Sequence, residues 1–108
     1  AISTRNMDAA VEHFLDAAGF SGREDVFDPR LSRNFPYNKP DPRVAQHVCR
    51  EWRCLPDEVI FCGDHEDDMK CGRLAGCRTI LIRTPGSKLL EGSDLVDHFV
   101  SSLSEVLD

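Results

Sequence analysis

The chain has 108 residues, 41% hydrophobic and 30% charged, which is enough for one small globular domain with a modest core. Its formal net charge of −6 argues against a nucleic-acid partner, because no basic stripe is present to release counterions from a phosphate backbone. No apolar run approaches the roughly 18 residues that a membrane-spanning helix needs. These features predict a soluble domain with neither nucleic acid nor membrane as a partner.

The first half of the chain predicts a strand end, a helix, a loop and a second helix. Residues 1–6, AISTRN, read like the end of a strand. Residues 25–27 are a short strand candidate, and residues 28–40, rich in proline and asparagine, predict a loop. Helical periodicity predicts helices over residues 7–18 and 41–53, the second with Asp41 as N-cap and Pro42 in the first turn. Their predicted apolar faces are Met7, Val11, Phe14, Leu15 and Ala18 in the first helix, and Val44, Val48, Cys49 and Trp52 in the second.

The second half alternates strands and helices. The apolar runs 58–62 and 79–82 predict central strands buried on both faces. A helix is predicted from about residue 66 to 75, ending at Gly76, followed by a loop over 85–94, an edge strand at 98–100 and a last helix from 101. This alternation predicts an α/β fold, a Rossmann-like parallel sheet flanked by helices with right-handed crossovers.

Four acidic residues fall within positions 64–68, directly after a predicted strand. In parallel α/β sheets, ligands bind at the carboxyl ends of the strands. Asp64 follows Gly63 at such an end and Asp68 lies four residues on, so both carboxylates can converge on Mg²⁺, which takes one or two carboxylates and several waters. The competing interpretations are a solvated acidic face and simple charge pairing with a helix N-terminus.

Two further polar residues stand near predicted strand ends. Lys39, held by Pro40, can neutralise a phosphoryl group, although most loop lysines are only solvated. Thr4 can donate its hydroxyl to a phosphate oxygen beside helix N–H groups, although an N-cap role explains it equally. Thr4, Lys39, Asp64 and Asp68, in this order, make a constellation for phosphate and Mg²⁺.

The five cysteines form no CxxC pair, and their odd number favours a reducing, cytoplasmic compartment. Zinc binding is the alternative for part of this set, although the spacing matches no common structural zinc pattern. Its ligands would be Cys62, His65, Cys71 and Cys77.

Three stretches in order, ISTRN, KPDP and VIFCGDHEDDMKCGRLAG, resemble the second, third and fourth motifs of the haloacid dehalogenase-like hydrolase superfamily, in particular its phosphoglycolate-phosphatase-like branch. The similarity runs over nearly the whole chain. It implies a Mg²⁺-dependent phosphatase acting on a small phosphomonoester. The roles it implies are phosphate binding by Thr4 with Arg5 and Asn6, charge stabilisation by Lys39, Mg²⁺ ligation by Asp64 supported by Asp68, and helix-start positions for Glu66 and Asp67.

The first motif of that family, DxDGT, has no counterpart here. In the family it supplies the aspartate that becomes an aspartyl-phosphate, and its strand lies centrally between those of motifs two and four. Residues 1–108 are therefore expected to be the C-terminal part of a core domain in a longer chain, inactive alone. We expect the gap in the sheet to be filled by the missing N-terminal segment or by strand exchange in a homodimer.

Other functions compete with this interpretation. A non-catalytic module of the same family would bind a phosphorylated ligand or a protein. Dehalogenase and phosphonatase chemistry share much of this half of the family fold. A phosphoacceptor receiver domain also combines aspartates, threonine and lysine, but there the aspartates come first along the chain.

Overall fold

The computed structural model describes residues 1–4, 7–19, 27–90, 92–102 and 105. They fall in two compact units, Ala1–Asn38 and Lys39–Asp108. Each unit contains a parallel sheet and at least one helix, which confirms the predicted α/β class.

In the first unit, β1 (Ile2–Ser3) pairs in parallel with β2 (Arg30–Leu31), and α1 (Asp8–Ala17) lies between them in sequence. The strand end predicted within residues 1–6 is confirmed at Ile2–Ser3, whereas residues 5 and 6 lie outside the described residues. The loop predicted over 28–40 is wrong at its start, because the buried Leu31 carbonyl accepts the Thr4 N–H at 2.8 Å and extends the ladder. Of the strand candidate at 25–27, only Phe27 lies within the described residues, and it is not in a strand.

The apolar face predicted for α1 is only partly correct. Val11 and Leu15, four residues apart, are buried, whereas Met7 and Phe14 are 51% and 61% exposed. Met7 is the extended N-cap residue, so it stands outside the helical stripe, and Phe14 lies on the flank of the Val11–Leu15 row. Ala18, the residue after the helix, is exposed as well.

In the second unit, a three-stranded parallel sheet has the order β3-β4-β5, with α3 crossing from β3 to β4. The remaining elements are α2 and two 3₁₀ segments. Their bounds are α2 Arg43–Trp52, Pro56–Glu58, β3 Ile60–Gly63, α3 Glu66–Ala75, β4 Arg78–Ile82, Pro85–Leu90 and β5 His98–Val100. Apart from the last helix, the predicted helices and strands of this half are confirmed, and α3 ends as predicted at Gly76, whose φ of 89° suits glycine. Residues 85–90, predicted as loop, form a 3₁₀ helix in which the buried Ser87 hydroxyl binds both the N–H and the carbonyl of Thr84.

One face of this sheet packs closely on α3. Gly72 of α3 lies so near Phe61 and Thr79 that an added Cβ would stand 2.7 Å and 2.9 Å from their side-chain atoms. Helix α2 packs on α3 in turn. The core of this unit is formed by Val44, Ala45, Val48, Cys49, Val59, Met69, Cys71, Ala75, Cys77 and Leu81.

The prediction that β3 is buried on both faces is wrong. Ile60 is 52% exposed and Cys62 is exposed, whereas Phe61 between them meets α3. The reason is that β3 is an edge strand of its sheet in the described part of the chain, and α3 packs on only one side of it. Trp52, predicted to be part of the apolar face of α2, is 43% exposed because it ends the helix just before the left-handed Arg53.

The last predicted helix, from residue 101 onward, lies largely outside the described residues; within them, the Ser101 N–H donates to Glu105 Oε2 at 3.1 Å. The three described α-helices have 10 residues each, and none of them is long and apolar enough to span a bilayer.

Candidate functional site

The candidate site lies where β3 ends and α3 begins. Gly63 is the last residue of the strand, Asp64 and His65 form the turn, and Asp68 stands in the first helical turn. Asp64 is exposed, whereas Asp68 is only 7% exposed. The two carboxylates that the sequence singles out therefore stand in different environments.

Both oxygens of the Asp68 carboxylate are engaged. Oδ1 lies 2.6 Å from Lys39 Nζ, and Oδ2 accepts the backbone N–H groups of Asp64 and His65, each at 3.2 Å. A buried charge is tolerated when it is paired and hydrogen-bonded, and these three contacts meet that requirement. Asp68 thus fixes the turn that carries Asp64, and it also binds the Lys39 ammonium group.

Lys39 approaches from the segment before α2, with a side chain 17% exposed and a cis peptide bond to Pro40. Asp41 anchors the start of that helix, since its Oδ1 accepts the Arg43 N–H at 2.9 Å and its carboxylate pairs with the Arg43 guanidinium. Hydrogen bonds from Arg43 lower the pKa of Asp41. The prediction of Asp41 as N-cap is wrong by one residue, because Pro42 takes the N-cap position, but the Asp41 carboxylate still binds a backbone N–H in the first turn of the helix.

His65 and Asp68 cap α3 together. His65 Nδ1 accepts the Asp67 N–H at 3.1 Å, while Asp68 accepts the His65 N–H in return. This is the geometry of a capping box, with histidine and aspartate in place of the usual Ser or Thr and Glu or Gln. The unusual residue pair explains why the sequence pattern did not indicate this role of Asp68.

Asp64 offers its carboxylate to solvent; within the described residues, no hydrogen bond or ion pair to that carboxylate is formed. The described residues contain no group of three or more His, Cys, Asp or Glu side chains placed to hold a metal ion. Asp64 and Asp68 nevertheless fit a part of a Mg²⁺ site, because both are hard oxygen donors and Mg²⁺ keeps several waters. Since both oxygens of Asp68 already have partners, Asp64 is the better placed direct ligand.

The zinc alternative does not assemble. Cys71 is buried and its thiol donates to the Asp41 carbonyl at 3.3 Å, and burial raises its pKa to about 11. Cys77 is buried beside Cys49, whereas Cys62 and His65 are exposed. The four side chains therefore do not converge on one point.

Apart from Lys39, the residues predicted to bind phosphate fall within the first unit. Thr4 directly follows β1, half-buried, with its N–H bound to the Leu31 carbonyl. Its position after a strand agrees with the expectation from the sequence. Arg5 and Asn6 lie outside the described residues. The phosphate-binding roles of all three stay predictions.

The sequence profile described as haloacid dehalogenase-like hydrolase matches residues 1–82. The chain belongs to the haloacid dehalogenase-like hydrolase family. The matched range includes β1, the Lys39 segment and the β3–α3 turn, so the family assignment covers every element that carries a candidate site residue.

Several proteins similar to the chain are considerably longer than it. An uncharacterized hydrolase of Saccharomyces cerevisiae is 39% identical over 109 residues, which is 99% of the chain and 50% of that protein. The D-glycero-D-manno-heptose-1,7-bisphosphate 7-phosphatase of Chlorobaculum tepidum is 36% identical over 61 residues, 52% of the chain and 31% of the enzyme. The crystal structure of CbbY from Rhodobacter sphaeroides in complex with phosphate superposes with a TM-score of 0.80 at 22% identity, over 96% of the chain and 46% of CbbY. The chain thus spans about half or less of the length of these similar proteins.

Proposed function

We propose that the chain is the C-terminal part of the catalytic core of a Mg²⁺-dependent phosphatase that hydrolyses a small phosphomonoester. The observation that carries this proposal is the Lys39–Asp68 ion pair, 2.6 Å long and largely buried, next to the exposed Asp64 at the carboxyl end of β3. A fixed cation and a free carboxylate at a strand end are the groups that a phosphoryl group and its metal require.

Each residue has a distinct task in this proposal. Lys39 offsets the negative charge of the phosphoryl group, and Asp68 positions Lys39 and the turn. Asp64 is a direct ligand of Mg²⁺, which when bound supplies further charge stabilisation. Thr4 donates its hydroxyl to a phosphate oxygen, assisted by Arg5 and Asn6. The nucleophilic carboxylate, which forms an aspartyl-phosphate, comes from a segment that these 108 residues do not include.

The similar proteins support phosphate chemistry over the other activities of the family. One relative is a phosphatase of a sugar bisphosphate, and one protein of the same fold was crystallised with phosphate. No described contact at the β3–α3 turn favours dehalogenation or phosphonate cleavage.

We further propose that residues 1–108 form one part of a single core domain, completed by another segment of the same polypeptide. Support comes from β3, whose outer edge is unpaired within the described residues, and from relatives about twice as long. Unpaired strand edges tend to recruit another strand. Strand exchange between two copies would satisfy the same edge, so the mass of the full-length protein in solution separates the two arrangements.

The test is hydrolysis of a panel of small phosphomonoesters by the full-length protein, with Mg²⁺ and after chelation. We expect turnover that needs the metal, and a loss of at least about 100-fold in kcat/KM in the Asp64→Asn variant. Asp67→Asn, which alters a neighbouring carboxylate of the same turn, is the matched control and should retain most activity. Equal activity of the Asp64→Asn and unaltered proteins would refute the role of Asp64. Mg²⁺ binding without turnover of any ester would favour a non-catalytic binding module.

A further inference from the structure

Two buried thiols lie side by side in the second unit. Cys49 Sγ on α2 is 3.9 Å from Cys77 Sγ, which lies in the turn between α3 and β4. The two residues are 5% and 2% exposed, and both are free thiols. Their separation along the chain is 28 residues, so the contact joins two distant elements.

We propose that Cys49 and Cys77 form a covalent modification site, a buried dithiol that a peroxide oxidises to a disulfide linking α2 to the α3–β4 turn. One sulfur attacks the peroxide oxygen and becomes a sulfenic acid, releasing water; the second sulfur then displaces water from it to form the S–S bond. Two thiols and one hydrogen peroxide thus give one disulfide and two water molecules.

The geometry requires only a small movement. A disulfide has an S–S distance of about 2.0 Å, so the sulfurs must approach by about 2 Å from their separation of 3.9 Å. Cys71 is the competing thiol nearby, but its Sγ already donates to the Asp41 carbonyl at 3.3 Å.

Burial controls the rate of this reaction. It raises the pKa of Cys77 to about 12, and the neighbouring Cys49 adds to the shift, so at neutral pH the nucleophilic thiolate is scarce. Oxidation therefore follows local opening of the packing between α2 and α3, and the two thiols are protected as long as this packing is intact. The oxidation of Cys49 and Cys77 thus depends on opening of the fold, whereas Cys62 on β3 is already exposed.

The disulfide would connect α2 to the turn that follows α3, and these are the two helices whose starts carry the candidate site. Helix α2 begins just after Lys39 and α3 begins with the turn bound by Asp68. The inference itself needs no catalytic activity and is independent of the proposed function.

The experiment treats the reduced full-length protein with hydrogen peroxide, blocks remaining thiols under denaturing conditions and digests with trypsin. Cleavage after arginine gives VAQHVCR (residues 44–50) and LAGCR (residues 74–78), each with one cysteine. We expect these two peptides to appear linked, to separate on reduction, and to stay unlinked in Cys49→Ser. We expect linkage to be at least several-fold faster in sub-denaturing urea, whereas alkylation of Cys62 should change little.

Two results would overturn the proposal. One is recovery of Cys49 and Cys77 as free thiols after peroxide has oxidised Cys54 and Cys62. The other is a linked product that contains Cys71 in place of either member of the pair. Circular dichroism of the oxidised protein provides a further check, because a disulfide within the native packing leaves the spectrum unchanged and one formed after unfolding does not.

Discussion

The acidic cluster at residues 64–68 contains carboxylates with different tasks. Asp68 is buried, and its charge is balanced by Lys39 and by two backbone N–H groups. Asp64 is exposed, and Glu66 pairs with Lys70 at 3.3 Å on the surface of α3. A largely desolvated pair such as Lys39–Asp68 is far more sensitive to the loss of one partner than a surface pair, because the remaining charge is left unpaired.

We predict that Lys39→Met lowers the free energy of unfolding of the full-length protein by about 3 kcal/mol, since it leaves the Asp68 carboxylate buried without its cation. Urea unfolding measures this change. Arg43→Met is the matched control, because the Arg43–Asp41 pair lies at the surface and its loss should cost less than about 1 kcal/mol. The double variant Lys39→Met/Asp68→Asn should recover part of the lost stability. Equal losses in Lys39→Met and Arg43→Met would show that Lys39 and Asp68 are not a buried pair.

At the scale of elements, the turn between β3 and α3 depends on a very close approach of Gly63 to Asp68. A Cβ on residue 63 would overlap the side chain of Asp68, including its Oδ2 atom. Because Asp68 is held on its other side by Lys39, it cannot retreat without breaking that ion pair. The glycine at the strand end is therefore required by the side chain that follows it in the helix, as well as by the turn.

Gly63→Ala should thus lower stability by about 2 kcal/mol through overpacking, and should reduce the proposed phosphatase activity together with stability. Gly86→Ala is the control, since a Cβ there meets no atom within 4 Å. Thermal unfolding and ester hydrolysis of both variants provide the comparison. A Gly63→Ala protein as stable and active as Gly86→Ala would contradict this close packing.

A second element-scale contact joins α3 to the segment before β5. Arg73 pairs with Asp97 Oδ1 at 2.6 Å, and Asp97 Oδ2 accepts the Thr79 N–H at 2.9 Å. The hydrogen bond from Arg73, followed by that from Thr79, lowers the pKa of Asp97 in the folded state. A lowered folded-state pKa contributes stability above the unfolded value, about 3.9, and this contribution is lost as the pH falls through the folded-state pKa.

The prediction for Asp97→Asn is a pH-dependent loss of stability. The variant should be less stable than the unaltered protein at pH 7, and the difference should shrink as the pH falls through the folded-state pKa of Asp97, below which the carboxyl group is protonated in both states. Urea midpoints at pH 7 and at acidic pH test this. Asp94→Asn, which changes an exposed carboxylate three residues away, should show no such dependence. A difference that is the same at both pH values would contradict the electrostatic origin.

The sequence predicted the elements of the second unit better than their exposure. Local patterns located α3 to its terminal Gly76 and placed β3 and β4 correctly, because apolar runs and a left-handed glycine are local signals. They failed for Ile60 and Trp52, whose burial depends on what packs against them. The sequence indicated Lys39, Asp64 and Asp68 as candidate site residues, and the structure brings Lys39 and Asp68 into contact, while the functional roles of all three stay predictions. The contacts of Asp68 were not foreseen, because a long-range ion pair leaves no local pattern.

At the scale of the whole molecule, β3 presents an apolar face and, among the described residues, an unpaired edge, in a chain that spans half the length of its yeast relative. Parallel strands are normally covered on both faces and paired on both sides when they lie centrally. If another segment of the polypeptide completes this sheet, as we propose, the exposed positions of β3 become protected in the full-length protein.

The alkylation rate of Cys62 measures this protection. We predict that an alkylating reagent modifies Cys62 in the isolated 108-residue chain at least about tenfold faster than in the full-length protein, because a covering strand reduces local access. Cys54, which precedes the 3₁₀ segment Pro56–Glu58 and is not part of β3, serves as the internal reference. Its alkylation rates should be similar in the two proteins. Equal protection of Cys62 in both would mean that the sheet is not completed from outside these residues.

The neutralisation of Asp68 by Lys39 affects how strongly metal and phosphate would bind together at the proposed site. With that pair balanced, the carboxylate of Asp64 is a net negative charge at the mouth of the site, and a phosphate dianion approaching it is repelled. A divalent cation at Asp64 reverses the sign of that field. Metal and phosphate should therefore strengthen each other's affinity by the same factor, so that either ligand alone binds weakly and the two bind as a pair.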